Sequence, residues 1–212
     1  MRCFGLYPDQ VAQRLQSPVQ PPDLNASVLR GAVGFALVSL APYAIWAFAG
    51  KWMYQNIGEA GLYLVCAVVF IALTGVALSG LVVGGSLLRF YALFGAAFAA
   101  YALAWSLAWF GVKGRAGEWV GSLAGTTVMG LLITCAFGAR KAALPVILLL
   151  FVTHSVGYFL GGYVYEANGK QHPIGAKLGW GLCYGVWFGV GIGYAFYAAQ
   201  EGIRQKLKEA KT

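Results

Sequence analysis

AALPVILLLFVTHSVGYFLGGYVY, residues 142–165, contains no aspartate, glutamate, lysine or arginine and is long enough to cross a bilayer as one helix. A hydrocarbon core about 30 Å thick takes about 20 apolar residues at the helical rise. A soluble surface helix would carry a polar face, and this stretch has none. Five further stretches read the same way: 31–50, 60–83, 89–111, 118–138 and 176–200. Barrel strands would instead alternate in segments of about ten residues, and that pattern is absent. The expected fold is an all-α integral membrane protein with six transmembrane helices.

Composition agrees. Hydrophobic residues make up 59% of the 212 and charged residues 10%, against about 25% charged in an ordinary soluble domain. An arm at 1–29, a transmembrane domain at 30–200 and a basic tail at 201–212 account for the whole chain. The arm is polar and proline-rich, with one short helix expected after Pro8, and lacks the pattern of a cleavable signal. Asn25-Ala26-Ser27 fits a helix cap for the first span better than a glycan acceptor. The net charge of +8 flanks apolar runs and forms no stripe with interleaved aromatics, so the lipid bilayer, not nucleic acid, is the expected partner.

Arg2, Arg14, Arg30, Arg89, Arg140, Lys141, Arg204, Lys206, Lys208 and Lys211 fall on one side of six alternating spans. Lys51, Lys113, Arg115, Lys170 and Lys177 fall on the other. The excess of positive charge places both termini in the cytoplasm. Glu59, Glu118 and Glu166 sit in the opposite loops and read as solvated charges rather than a cation-collecting mouth. Trp52, Tyr54, Trp109, Trp119, Tyr163, Tyr165 and Tyr197 lie toward span ends, as interfacial anchors do. The tail, EGIRQKLKEAKT, is expected to lie on the inner leaflet.

Small residues recur every four positions in two spans: Ala92, Ala96, Ala100, Ala104 and Ala108, and Gly181, Gly185, Gly189 and Gly193. Such rows form a flat helix face, a glycine zipper in the second case, against which another backbone packs. A shift of 89 residues superposes the two rows and lays Ala47, Phe48 and Lys51 on Ala136, Phe137 and Arg140. A shift of 82 lays Gly75, Leu78, Ser79 and Gly80 on Gly157, Leu160, Gly161 and Gly162. The pattern suggests a 3+3 inverted repeat, a frequent build for transporters, with chance agreement in a chain of 30 glycines as the rival.

His154, in FVTHSVGYFLGG (151–162), is the imidazole expected at membrane depth, one turn before Gly157. A polar group there needs a partner or serves a function. The candidate midplane cluster is His154, Ser155, Gly157, Thr74, Gly75, Ser39, Tyr43, Thr126, Thr127 and Tyr184, with Tyr101 as a further partner for the imidazole. Pro42 should kink or loosen the first span at the Val38 carbonyl, with Ser39 able to re-satisfy it.

Catalytic and cofactor chemistry finds little footing. Cys3, Cys66, Cys135 and Cys183 are scattered and read as small apolar residues. No metal-ligand spacing occurs, no aspartate lies in a span, and no mid-span lysine offers a Schiff base. A Ser122–His154 dyad is disfavoured because Ser122 lies near a span end. Neither an enzyme nor a bound cofactor or metal is expected. The leading expectation is binding or passage of a small solute or ion through the bundle, lined by spans 2 and 5 and His154. The alternative is a non-catalytic structural or assembly subunit of a larger membrane complex, with a homo-oligomer or other membrane subunits as partners.

Overall fold

A computed structural model describes residues 4–15 and 19–210. Arg2 and Lys211, used for orientation above, and Cys3 lie outside the described residues. Among the described residues the chain is helical and contains no strand. In chain order the helices are α1 (Pro8–Arg14), α2 (Leu24–Ala44), α3 (Gly50–Leu78), α4 (Leu87–Val112), α5 (Gly114–Ala136), α6 (Ala143–Asn168), α7 (Pro173–Ala199) and α8 (Glu201–Glu209). A π-helical turn, Ile45–Ala49, joins α2 to α3.

Five helical runs are long and apolar enough to cross a membrane, and the first, Leu24–Leu81, is 58 residues long. At 1.5 Å per residue a straight run of that length would reach about 87 Å, far more than one bilayer. It is not straight. Gly58 breaks it with φ 74° and ψ 177°, a conformation glycine reaches without a Cβ clash. The two arms then lie antiparallel: Gly34 faces Leu78, Gly80 faces Arg30, and the Cys66 thiol points at the Pro42 carbonyl, 3.7 Å away.

Local sequence explains the ends. Asp23, rather than Asn25, caps α2: its Oδ1 accepts the Ala26 N–H at 2.7 Å. Ser86 caps α4 by accepting the Arg89 N–H at 3.2 Å. Beyond Pro42, which has no N–H to give, the Ile45 N–H is shared between the Ala41 and Pro42 carbonyls and the helix widens into its π turn. That widening absorbs the proline.

Helix neighbours are antiparallel throughout. α7 is the hub, with α2 on one face and α6 on another; α5 packs against α4 and α6, and α2 against α3. The α2–α7 seam is backbone against backbone: Gly189 abuts Gly31 and Ala32, Gly193 abuts Ser27 and Val28, Gly185 abuts Ala36 and Ser39, and Gly181 abuts the Tyr43 ring. The α4–α5 seam is different, because Gly117, Gly121 and Gly125 on α5 receive Trp109, Trp105 and Tyr101 from α4. The alanine row of α4 is not this face. Ala92 and Ala96 are exposed and Ala100, Ala104 and Ala108 half-buried, since the large rings fill the glycine row better than methyl groups would.

One end of the bundle is capped. α1 packs on α8; Leu6, Val11 and Ile203 are buried there, and Lys206 pairs with Asp9, which holds its ammonium above the usual lysine range. The tail therefore turns Ile203 into the protein rather than onto a leaflet. Gln200, 2% exposed, ties the cap together. Its Oε1 accepts the Val83 N–H at 2.8 Å, and its Nε2 donates to Leu81 O at 2.7 Å and Phe196 O at 2.8 Å. Those loop groups are buried and need such a partner.

Adjacent glycines on α6 give a sharp test. A methyl at Gly161 would strike the Trp180 ring, while at Gly162 it would meet nothing within 4 Å. G161A should lower the melting temperature in detergent, at about 1–3 kcal/mol for overpacking. G162A should be neutral or stabilising by up to ~1 kcal/mol through helix propensity. Equal effects would contradict the seam.

Candidate solute site

His154 is fully buried at the middle of α6 and is held by α4 and α7. Its Nε2 lies 2.6 Å from the Tyr101 hydroxyl, which in turn lies 3.1 Å from the Tyr184 hydroxyl. Gly157 allows this, because α6 approaches the α7 backbone there, at the Cys183 carbonyl and the Tyr184 Cα. Rings enclose the imidazole: Phe188 edge-on at 4.9 Å, Tyr184 edge-on at 5.5 Å and Tyr158 parallel at 6.0 Å. Nδ1 is buried without a partner, as is the Ser155 hydroxyl. An orphaned buried polar atom costs about 1–3 kcal/mol, and such atoms concentrate where a molecule serves a function.

The other candidates divide. Tyr101 and Tyr184 join His154, as above. Thr74 donates instead to the Phe70 carbonyl at 2.7 Å, Thr126 to the Ser122 carbonyl at 2.7 Å, and Ser122 to the Glu118 carbonyl at 2.8 Å, so these hydroxyls serve their own helices. Ser39 is buried against Gly185, and Gly75 against the Tyr91 ring. Thr127 is half-buried. Tyr43 packs on Trp46 and Trp180 with centroids at 6.1 Å, nearer the uncapped end. One midplane cluster of ten residues does not form.

What forms is a cleft at the uncapped end. It measures about 940 Å³ and is lined by Glu59, Ala60 and Tyr63 of α3, Trp105, Ser106, Trp109 and Phe110 of α4, Glu118 of α5 and Tyr158 of α6. It exists because α3 and α4 diverge. They touch toward the capped end, through Phe70–Phe98 at 4.5 Å and the Tyr91 hydroxyl donating to Ala72 O at 2.6 Å, and separate around the cleft. A second recess of about 350 Å³ shares Tyr63 and adds Tyr43, Trp46, Cys66 and Trp180.

Tyr158 stands between the cleft and the buried imidazole: it lines the one and stacks on the other. Below His154 the bundle is closed by a column of rings. Phe188 meets Phe35 at 5.5 Å, Phe35 meets Phe70 at 5.2 Å, Phe94 meets Phe90 at 5.4 Å, and Phe90 meets Phe196 at 5.9 Å. The sequence treated Trp109 as an anchor and Glu59 and Glu118 as loop charges; all three face the cleft. Trp105 and Trp109, four apart and stacked with planes 8° from parallel, were the available signal.

No protein-family model, curated protein or solved structure matches this chain.

Tyr101→Phe should remove the only hydrogen bond of the imidazole and destabilise the fold by about 1–3 kcal/mol. In a double-mutant cycle, H154F/Y101F should cost less than the sum of the single changes. Thermal unfolding in one detergent reads both; strict additivity would sever the pair.

Proposed function

We propose that the chain is a multi-pass membrane protein that binds a small solute in the uncapped cleft and passes it toward the His154–Tyr101–Tyr184 cluster. The observation that carries this is the cleft itself: a wide recess with polar and aromatic walls, ending at the ring that covers the one deep imidazole. Ligand sites in helical bundles have this composition, mostly apolar with a few placed polar groups. The phenylalanine column closes the far side, as expected of one state of an alternating-access cycle.

In this reading the run Leu24–Leu81 crosses twice, reversing near Gly58, which brings the spans to six and both termini to the capped, arginine-rich side. That side is then cytoplasmic. The inverted repeat has support in the packing. Exchanging the halves maps α2–α7 onto α5–α4 and α2–α3 onto α5–α6, and each is a close neighbour pair. The third pair departs: α6 and α7 lie together, whereas their counterparts α3 and α4 diverge. The cleft is the product of that departure.

A subunit role is the second reading, favoured by the exposed alanines Ala92 and Ala96, a small-residue row left for another helix. Native mass spectrometry of gently extracted protein separates the two. A monomer or homo-oligomer favours solute binding, and stoichiometric foreign chains favour the subunit.

Water access tests the leading reading directly. In a background free of native cysteines, Ser106→Cys should react with a membrane-impermeant maleimide added from the uncapped side only. Thr126→Cys, at a fully buried position, should stay inert. An unreactive Ser106→Cys would remove the cleft as an aqueous site.

A further inference from the structure

We infer that the cleft selects a substituted ammonium or phosphonium group carried on an apolar body; this rests on the cleft being a solute site. Three features converge. Two carboxylates, Glu59 and Glu118, line the cleft, and no lysine, arginine or histidine does. Arg115 lies outside it, lining the adjoining recess and standing over Phe159 at 5.3 Å. Nor does an ion pair cancel either acid: among the described residues the pair within salt-bridge distance is Lys206–Asp9, at the capped end. The neighbours of Glu59 and Glu118 are the Tyr63 and Tyr158 hydroxyls, neutral groups that orient a carboxylate and leave its charge in place.

The rest of the wall is aromatic. Trp105 and Trp109 present a stacked pair, and Phe110 meets Trp109 edge-on at 5.0 Å. Aromatic faces attract cations through the ring quadrupole, and the attraction grows when the cation is already poorly hydrated. A small, strongly hydrated ion gains little from such walls. A large alkylated or arylated onium ion gains twice, from ring faces and from apolar burial, while the two carboxylates supply the charge complement in a partly water-excluded site. That chemistry has two sources, a soluble organic cation or the choline head group of a membrane lipid.

The test uses full-length protein in lipid nanodiscs, with tetraphenylphosphonium as the cationic probe, tetraphenylborate as an anion of the same shape, and neutral triphenylphosphine oxide. Binding is read against empty discs. Tetraphenylphosphonium should bind saturably, the other two should not displace it, and E59Q/E118Q should weaken it about tenfold, as should W109L, which keeps the apolar wall but not the indole face. The variants should melt near wild type, because these side chains line open space. Discs of phosphatidylglycerol and of phosphatidylcholine distinguish the sources. If the effect of E59Q/E118Q appears in both, the ligand is a soluble cation; if phosphatidylcholine abolishes it, the choline head group fills the cleft. Either result supports the inference. Equal binding of all three probes, unchanged in E59Q/E118Q, overturns the cation selectivity and leaves the cleft as a solute site of another class. Absence of saturable phosphonium binding in both lipids overturns it too, and the reactivity of Ser106→Cys then decides separately whether the site itself survives.

Discussion

The close contact between the backbones of α2 and α7 is the constraint on which the rest of the structure depends. Between lipid-solvated helices the hydrophobic effect supplies little attraction, so cohesion comes from dispersion at short range and from weak backbone contacts. Gly31, Gly189 and Gly193 permit that range, and any side chain at these positions would push a carbonyl aside. Once α2 is fixed on one face of α7, the other face is left for α6, and the notch at Gly157 sets how far the two can close. The position of His154 against Tyr184 and Phe188 follows from that spacing.

The second seam solves the same problem with opposite materials. On α5 the small residues Gly117, Gly121 and Gly125 form a trough, and α4 fills it with Tyr101, Trp105 and Trp109. Because α4 commits one side of these rings to α5, their remaining surfaces stand where α3 would otherwise approach. The cleft is thus a geometric by-product of the way the α4–α5 seam is packed. Its aromatic walls come from the same three helical turns that hold the bundle together, so recognition and stability draw on shared residues.

The helical architecture was legible from the sequence because apolarity over a bilayer's length is a property of single segments. The glycine row at 181–193 was legible for a similar reason, since period four on one helix fixes one face. Its alanine counterpart misled: spacing tells which residues share a face but not which face meets a neighbour, and on α4 the larger rings one step around the helix do so. His154 was visible as an unusual residue, and Tyr101 and Tyr184 were among its proposed partners. Thr74 and Thr126 were not partners, because a hydroxyl on a helix can always turn back to the carbonyl four residues earlier. The cleft was not legible at all. It depends on the divergence of α3 from α4, a relation between two helices that no local pattern encodes, and it turned Glu59 and Glu118 from loop charges into a lining. Gln200 escaped notice for the same reason: nothing around it in the chain announces the Leu81–Val83 loop that it satisfies.

The docking of α1 on α8 has a temporal consequence. The ribosome makes α1 first and α8 last, and at about 5–20 residues per second roughly 10–40 s separate them. During that interval Leu6 and Val11, both wholly buried in the finished molecule, have no surface to cover them. Each span can enter the bilayer as it emerges, but the cap closes only on a complete chain. A truncated product would therefore display an uncovered apolar arm, which gives cellular quality control a feature by which to tell finished molecules from unfinished ones.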